Sequence, residues 1–270
     1  MKQKTIRLFW WNEIQLMGKS KENYGDLLGK YLVEKISGSS VVWTHPKKRS
    51  FKNLFSPIYV TIGSILAQVT TNCVVWGSGV ISKDSQVKKA TFLAVRGPKT
   101  REVLQNLGYS VPEVYGDPAL LLPKYYHPKV DKKYAIGIIP HYKDFELATQ
   151  LYASHKNVLV IDLMTNDIEA TTDSILQCER IVSSSLHGVI VSHAYQIPAV
   201  WVPFSDSLFG DGIKYQDYFE SVGLESYAPK VSNTALSEAE IAALFTTYPT
   251  LPDALKIKEL QDGLLKVSPF

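Results

Sequence analysis

Short apolar runs alternate with stretches of helical spacing along nearly the whole chain, and the alternation starts twice. Residues 5–11, 40–43, 58–62, 74–76 and 91–95 are apolar and β-prone, while 27–36 and 98–107 carry apolar residues at helical intervals, the second closed by Gly108. After Leu120-Leu121-Leu122 comes a polar, proline-punctuated break over 123–133. The same grammar then resumes, with strands at 134–139, 158–161, 180–182 and 199–202 and helices at 145–154, 168–177 and from His187 onward. Strands this short and apolar, each followed by a helix, fit parallel sheets covered on both faces. At 270 residues the chain exceeds a comfortable single core. We therefore expect an α/β protein of two Rossmann-like doubly wound domains, 1–124 and 125–250, facing each other across a cleft. Residues 251–270 read as a helix that packs back on the first domain.

Apolar residues make up 45% of the sequence and charged residues 20%, which excludes disordered and fibrous classes. The formal charge of +3 is spread out, with short excesses at Lys47-Lys48-Arg49 and Lys132-Lys133, so no nucleic-acid stripe is expected. Cys73 and Cys178 lie far apart in strand-like surroundings and read as buried free thiols. The N-terminal apolar run is too short for a signal peptide core, and no apolar stretch reaches membrane-spanning length. A reducing, cytoplasmic setting follows, at the inner face of the plasma membrane if the substrate is lipid-linked.

In sheets of this class the binding crevice lies at the carboxyl ends of the strands. The loops expected there are Asn23-Tyr24-Gly25-Asp26, Gly63-Ser64, Gly77-Ser78-Gly79, Arg96-Gly97-Pro98, Gly116-Asp117-Pro118, Pro140-His141-Tyr142-Lys143 and Ser183 to His187. Gly77-Ser78-Gly79 is not a dinucleotide fingerprint, and no P-loop is present. Ser183-Ser184-Ser185-Leu186-His187 reads as a strand end, a polar turn and a helix start, which offers unpaired N–H groups to an anion. Arg96 is placed to grip a carboxylate or phosphate, or else to form an ion pair. His187 is either a general acid or a helix-capping histidine, and His193 reads as a packed histidine. The histidines and acids lack metal-ligand spacing, so no metal site is expected.

The ordered set Asn23-Tyr24-Gly25-Asp26, Trp76-Gly77-Ser78-Gly79-Val80, Val95-Arg96-Gly97-Pro98-Lys99-Thr100, Gly116-Asp117-Pro118-Ala119 and Ser184-Ser185-Leu186-His187-Gly188 with Ile197-Pro198 resembles the polysaccharide pyruvyl transferase family. That resemblance implies a GT-B-like fold. It also implies transfer of pyruvate from phosphoenolpyruvate, a co-substrate rather than a cofactor, onto a sugar of a surface polysaccharide precursor such as capsule or exopolysaccharide. The product would be a cyclic ketal, with phosphate released. By this analogy the donor would be bound by Arg96, Ser185, Leu186, His187, Lys214, Gly77 and Ser78. His187 would protonate the donor methylene, Asp26 or else Asp117 would act as base, and Asn23, Tyr24, Asp117 and His141 would meet the acceptor. Many family members carry Arg-Leu-His where this chain has Ser185-Leu186-His187, so the missing charge must come from elsewhere. Lys214, in the Gly-rich loop 210–215, is the leading substitute, with Lys143 and His141 behind it.

Two other readings compete. A nucleotide-sugar glycosyltransferase of GT-B type would need a carboxylate for the donor ribose, and Asp206, Asp211 or Asp217 are candidates. A non-catalytic sugar-binding module would use the many aromatic residues, which in α/β folds more often pack the core.

Overall fold

The computed structural model describes residues 5–48, 56–205 and 210–270. In chain order the first lobe contains β1 (Ile6–Phe9), α1 (Glu13–Met17), β2 (Glu22–Asn23), α2 (Tyr24–Ser37), β3 (Val41–Trp43), β4 (Ile58–Val60), β5 (Cys73–Trp76), β6 (Thr91–Ala94), α3 (Pro98–Asn106) and α4 (Leu122–Tyr125). The second contains β7 (Tyr134–Ile139), α5 (Phe145–Tyr152), β8 (Val158–Val160), β9 (Met164–Thr165), α6 (Ile168–Leu176), β10 (Cys178–Ser183), α7 (Leu186–Ala194), β11 (Ala199–Trp201), α8 (Ile213–Ser221) and α9 (Glu238–Thr247). A last helix, α10 (Ala254–Lys266), closes the chain.

Two parallel sheets result, one ordered β3-β1-β4-β5-β6 and the other β11-β10-β7-β8. The expected α/β class with two doubly wound sheets is therefore what the chain forms. Both sheets wind the same way: the first strand of each lobe lies between its second and third. The winding reverses between β1 and β4 in one lobe and between β7 and β10 in the other. Such reversals leave a crevice beyond the strand ends, because successive helices depart to opposite faces.

The helices follow from their caps and apolar spacing. Asn23 caps α2 by accepting the Gly25 N–H, Leu28, Leu32 and Val33 are buried, and Gly38 ends the helix at a φ of 63°. Pro98 opens α3, where its missing N–H costs nothing. From Gly188 to Ala194 every residue of α7 is buried, as an almost wholly apolar helix requires. One hydrophobic cluster runs without interruption from Tyr24, Leu28 and Leu32 to Val189, Ile190 and Tyr218. The lobes thus meet through shared core.

Two cross-lobe features have no short-range signal. β2 pairs antiparallel with β9, Glu22 opposite Thr165 and Asn23 opposite Met164. Tyr24 reaches the second lobe, where its hydroxyl lies 2.7 Å from Thr172 Oγ1. At the other end α10 buries Ile257, Leu260 and Leu264. It accepts the Trp76 indole N–H at the Leu264 carbonyl (2.9 Å), and Gln261 donates to the Leu120 carbonyl (2.7 Å).

The break at 123–133 begins inside α4 rather than as loop, because Leu122 is fully buried. Lys214, expected in a loop, is the second residue of α8. Both cysteines are free and buried. Among the described residues no helix is long and apolar enough to cross a membrane.

Candidate active site

Charged groups of both lobes come within electrostatic reach of one another at the strand-end crevice that this topology leaves: Asp26 of the first lobe feels Glu13, Glu22, Asp117 and Lys214, and Lys214 in turn acts on His141. These groups, with His187, are the candidate site.

His187 stands at its centre. Its Nε2 is enclosed and lies 3.5 Å from Asp117 Oδ2, with 13% of the side chain exposed. The other edge of the ring rests on Gly25, where an added Cβ would come within 2.0 Å of Nδ1. The glycine of the Asn-Tyr-Gly-Asp motif is therefore the seat of the imidazole. Nδ1 has no hydrogen-bond partner among the described residues. Asp117 is fully buried and uses Oδ1 to accept the Ala119 N–H (2.9 Å), which aims Oδ2 at His187. It cannot touch an acceptor, as first expected, and instead stands behind the histidine.

Asp26, one residue beyond Gly25, is half-buried and makes no hydrogen bond or ion pair among the described residues. Its Oδ1 would lie 3.1 Å from a Cβ at Gly63. Burial lifts its carboxyl well above the usual range, the carboxylates of Glu13 and Glu22 push the same way, and Lys214 opposes them. Lys214 is half-buried as well. Burial and the Arg96 charge bring its ammonium down to about 8, against the pull of Asp26. His141 is brought down to about 4 by burial and by the ammonium groups of Lys214, Lys143 and Lys19, so it is neutral at physiological pH.

The N-terminus of α7 completes the site. Ser185 occupies the cap position, but its side chain does not cap the helix, so its hydroxyl and the first-turn N–H groups of Leu186 and His187 remain for an anion. Gly188 brings this helix close to the sheet, since a Cβ there would meet Ser183 Oγ at 2.4 Å.

Several expected ligand groups have other partners. Arg96 is fully buried and does not reach a donor: Nε donates to Asp217 Oδ2 (2.9 Å), Nη1 to Ser64 Oγ (2.6 Å) and Nη2 to the Val80 carbonyl (2.8 Å). Asp217 accepts in addition the Thr100 N–H (2.8 Å) and hydroxyl (2.7 Å). Arg96 therefore pins α8 to the first lobe, holds Lys214 in place and adds positive charge from behind. Ser78 is buried and donates to the Gly63 carbonyl at 2.7 Å. Gly77, at a φ of 89°, makes room for Pro118. Tyr24 is fully buried, and Asn23 is a helix cap, so neither presents its side chain to an acceptor as expected. Of the carboxylates considered for a nucleotide ribose, Asp217 is sealed against Arg96, and Asp211 accepts the N–H groups of Lys83 (2.9 Å) and Ile213 (3.1 Å). Asp206 lies outside the described residues. His193 is buried and bonded to Tyr218, Ala199 and Thr250, as a packed histidine should be.

Glu13 and Glu22 were not anticipated. Both are nearly buried; Glu22 Oε2 accepts the Glu13 N–H at 2.7 Å, and Glu13 pairs with Lys19 at 2.9 Å. The signal was present, for Asn12-Glu13 follows the first strand as the other site loops follow theirs.

A two-lobed α/β protein with a histidine backed by a buried carboxylate and an uncapped helix start is the class these features define. The sequence pattern of the polysaccharide pyruvyl transferases matches residues 23–206, and the chain belongs to that family. It is also 32% identical over 256 residues to an uncharacterised protein of Acanthamoeba polyphaga mimivirus, covering 90% of this chain and 86% of the relative. Among solved structures it is similar to the glycosyltransferase SnogD from Streptomyces nogalater, with 9% identity, 99% and 96% of the two chains covered and a TM-score of 0.37. Membership makes the protein an enzyme of pyruvyl transfer to polysaccharide, and its acceptor a glycan.

Proposed function

We propose that the donor is phosphoenolpyruvate and the product a cyclic pyruvate ketal bridging two hydroxyls of one sugar in a surface polysaccharide precursor. The observation that carries this reading is that the His187 ring rests on Gly25, next to Asp26, and that Asp26 and Lys214 lie close enough to act on each other's charge. Lys214, the Ser185 hydroxyl and the α7 N–H groups hold the donor's phosphate and carboxylate. His187, its Nε2 backed by Asp117, gives a proton to the donor methylene, so that positive charge develops on C2. One sugar hydroxyl attacks C2 and loses its proton to Asp26, whose raised carboxyl makes it a stronger base than an ordinary aspartate. Phosphate then leaves, and the second hydroxyl closes the ring. Of the two hydroxyl protons, one balances the new methyl group and the other leaves on phosphate. A lipid-linked precursor would be met at the inner face of the plasma membrane.

The test is phosphate release from phosphoenolpyruvate in the presence of galactose- and mannose-type acceptors, with the ketal methyl group followed by NMR. Acceptor-dependent release is expected. Consumption of nucleotide sugars with phosphoenolpyruvate left intact would replace this reading with a glycosyltransferase. The burial of Asp217 and the backbone ties of Asp211 weigh against that outcome.

A further inference from the structure

On the far side of the α8 start from Lys214 lies a second cavity, of about 680 Å³, well within the range of ligand sites. α3 forms one wall, Gly212, Ile213 and Gln216 of the α8 start another, and Trp201 and Tyr227 a third. The aromatic wall is rigid before any ligand arrives. Trp201 lies flat on Tyr215, with ring centroids 3.8 Å apart and planes 8° from parallel, and Tyr227 stacks on Tyr248 at 4.2 Å and 16°. The Tyr227 hydroxyl accepts the Trp201 backbone N–H at 2.7 Å.

The polar lining is balanced. Lys83 and Lys99 face Glu102 and Asp211, and Lys99 is already shared between Glu102 (3.4 Å) and Glu220 (3.7 Å). A phosphate or nucleotide would find no net positive charge here. A neutral polyol finds what it needs: fixed aromatic rings for its C–H faces, and the amides of Asn106 and Gln216 for its hydroxyls. Lys214 and Gln216 sit about 200° apart around α8 at the ordinary helical repeat, so the helix start alone separates this cavity from the crevice. One sugar cannot reach across it, but a chain of sugars can.

We infer that this groove holds the sugars of the glycan acceptor that lie beyond the one receiving pyruvate. The inference rests on the glycan acceptor of the proposed reaction but not on the donor. Asn106 is exposed at the end of α3, so Asn106→Trp fills the groove from a position that tolerates a large side chain. The test is binding of wild-type protein to a printed array of oligosaccharides without donor, repeated with Asn106→Trp and with Gln216→Ala, while circular dichroism verifies the fold. Wild type is expected to select chains of two or more sugars. Asn106→Trp should weaken that binding at least tenfold, with a smaller loss for Gln216→Ala. In turnover, the KM for a long acceptor should rise by the same factor, while kcat and the KM for phosphoenolpyruvate stay put. Absence of array binding by wild type, or equal binding by folded Asn106→Trp, overturns the inference. Glycan selection that Asn106→Trp abolishes, in a protein that releases no phosphate from phosphoenolpyruvate, would sink the donor assignment and leave the groove standing.

Discussion

Two carboxylates, Asp217 and Asp117, each face a basic side chain across the lobe boundary, and they do opposite things. Asp217 meets Arg96 at 2.9 Å, both side chains are at most 1% exposed, and every neighbouring donor and acceptor is matched. Asp117 meets His187 at 3.5 Å, and neither facing atom has a hydrogen bond. A saturated buried pair locks a helix in place but has little capacity left for a ligand. A loose pair beside a crevice retains the freedom to tighten when the histidine takes a proton. The first pair is architecture; the second is the one with room for the chemistry proposed above.

The largest expected effect tests the second pair. Removal of the imidazole in His187→Ala should cut turnover about 10²–10⁴-fold, the usual worth of acid–base assistance. The melting temperature should fall far less than turnover does, since the ring, though mostly enclosed, lies outside the hydrophobic clusters. Turnover close to wild type would take the acid role from His187. Arg96 should behave in the reverse way: Arg96→Met leaves Asp217 buried and unpaired, which costs about 3–5 kcal/mol of stability. Urea unfolding measures this loss, and Arg96→Met with Asp217→Leu should recover part of it, since apolar replacement of a buried pair is often tolerated. A stable Arg96→Met protein with a raised KM for the donor alone would return Arg96 to the ligand site.

How far the sequence discloses this difference depends on range. The strands and the α/β class follow from local periodicity, and the structure forms them. His187 and Asp26 stood out because each follows soon after a strand, and Lys214 because of its Gly-rich surroundings. The partners were not. Arg96 and Asp217 are 121 positions apart, and Asp117 and His187 are 70 apart; their pairing is decided by how two lobes dock. The same holds for the β2–β9 pair. The glycines were visible, but not their reasons: Gly97 clears the Asp217 carbonyl, and Gly79 clears the Arg96 guanidinium. A nearer signal was overlooked at α9, where Ser237 and Glu240 form a capping box.

A smaller effect should follow from moving His187 instead of deleting it. A Cβ at residue 25 would overlap the imidazole, so Gly25→Ala must push the ring off its seat. Asp117→Asn leaves the ring seated but removes the charge behind it. Each should lower kcat roughly tenfold to a hundredfold, part of the acid–base contribution. The two separate in structure: the imidazole should keep its place in Asp117→Asn and leave it in Gly25→Ala. A wild-type kcat in both variants would mean that the long His187–Asp117 contact has no catalytic role.

The smallest effect concerns Lys214, proposed to supply the charge that the family arginine gives elsewhere. Lys214 has its ammonium lowered to about 8 by burial and by the Arg96 charge. The protonated form is the one that holds an anion, so donor binding should be full below pH 8 and weaken above it. The loss should reach no more than about tenfold per pH unit, the slope of a single proton. Because a bound anion favours the charged ammonium, the limb should appear near 8 in kcat/KM, which reports the free enzyme, and at higher pH in kcat, which reports the complex. Lys214→Arg keeps its charge throughout and should flatten the alkaline limb, while Lys214→Met should raise the donor KM at every pH. An alkaline limb that survives unchanged in Lys214→Arg would assign it to another group, and Lys143, on the β7 side of the crevice, would be the next to replace.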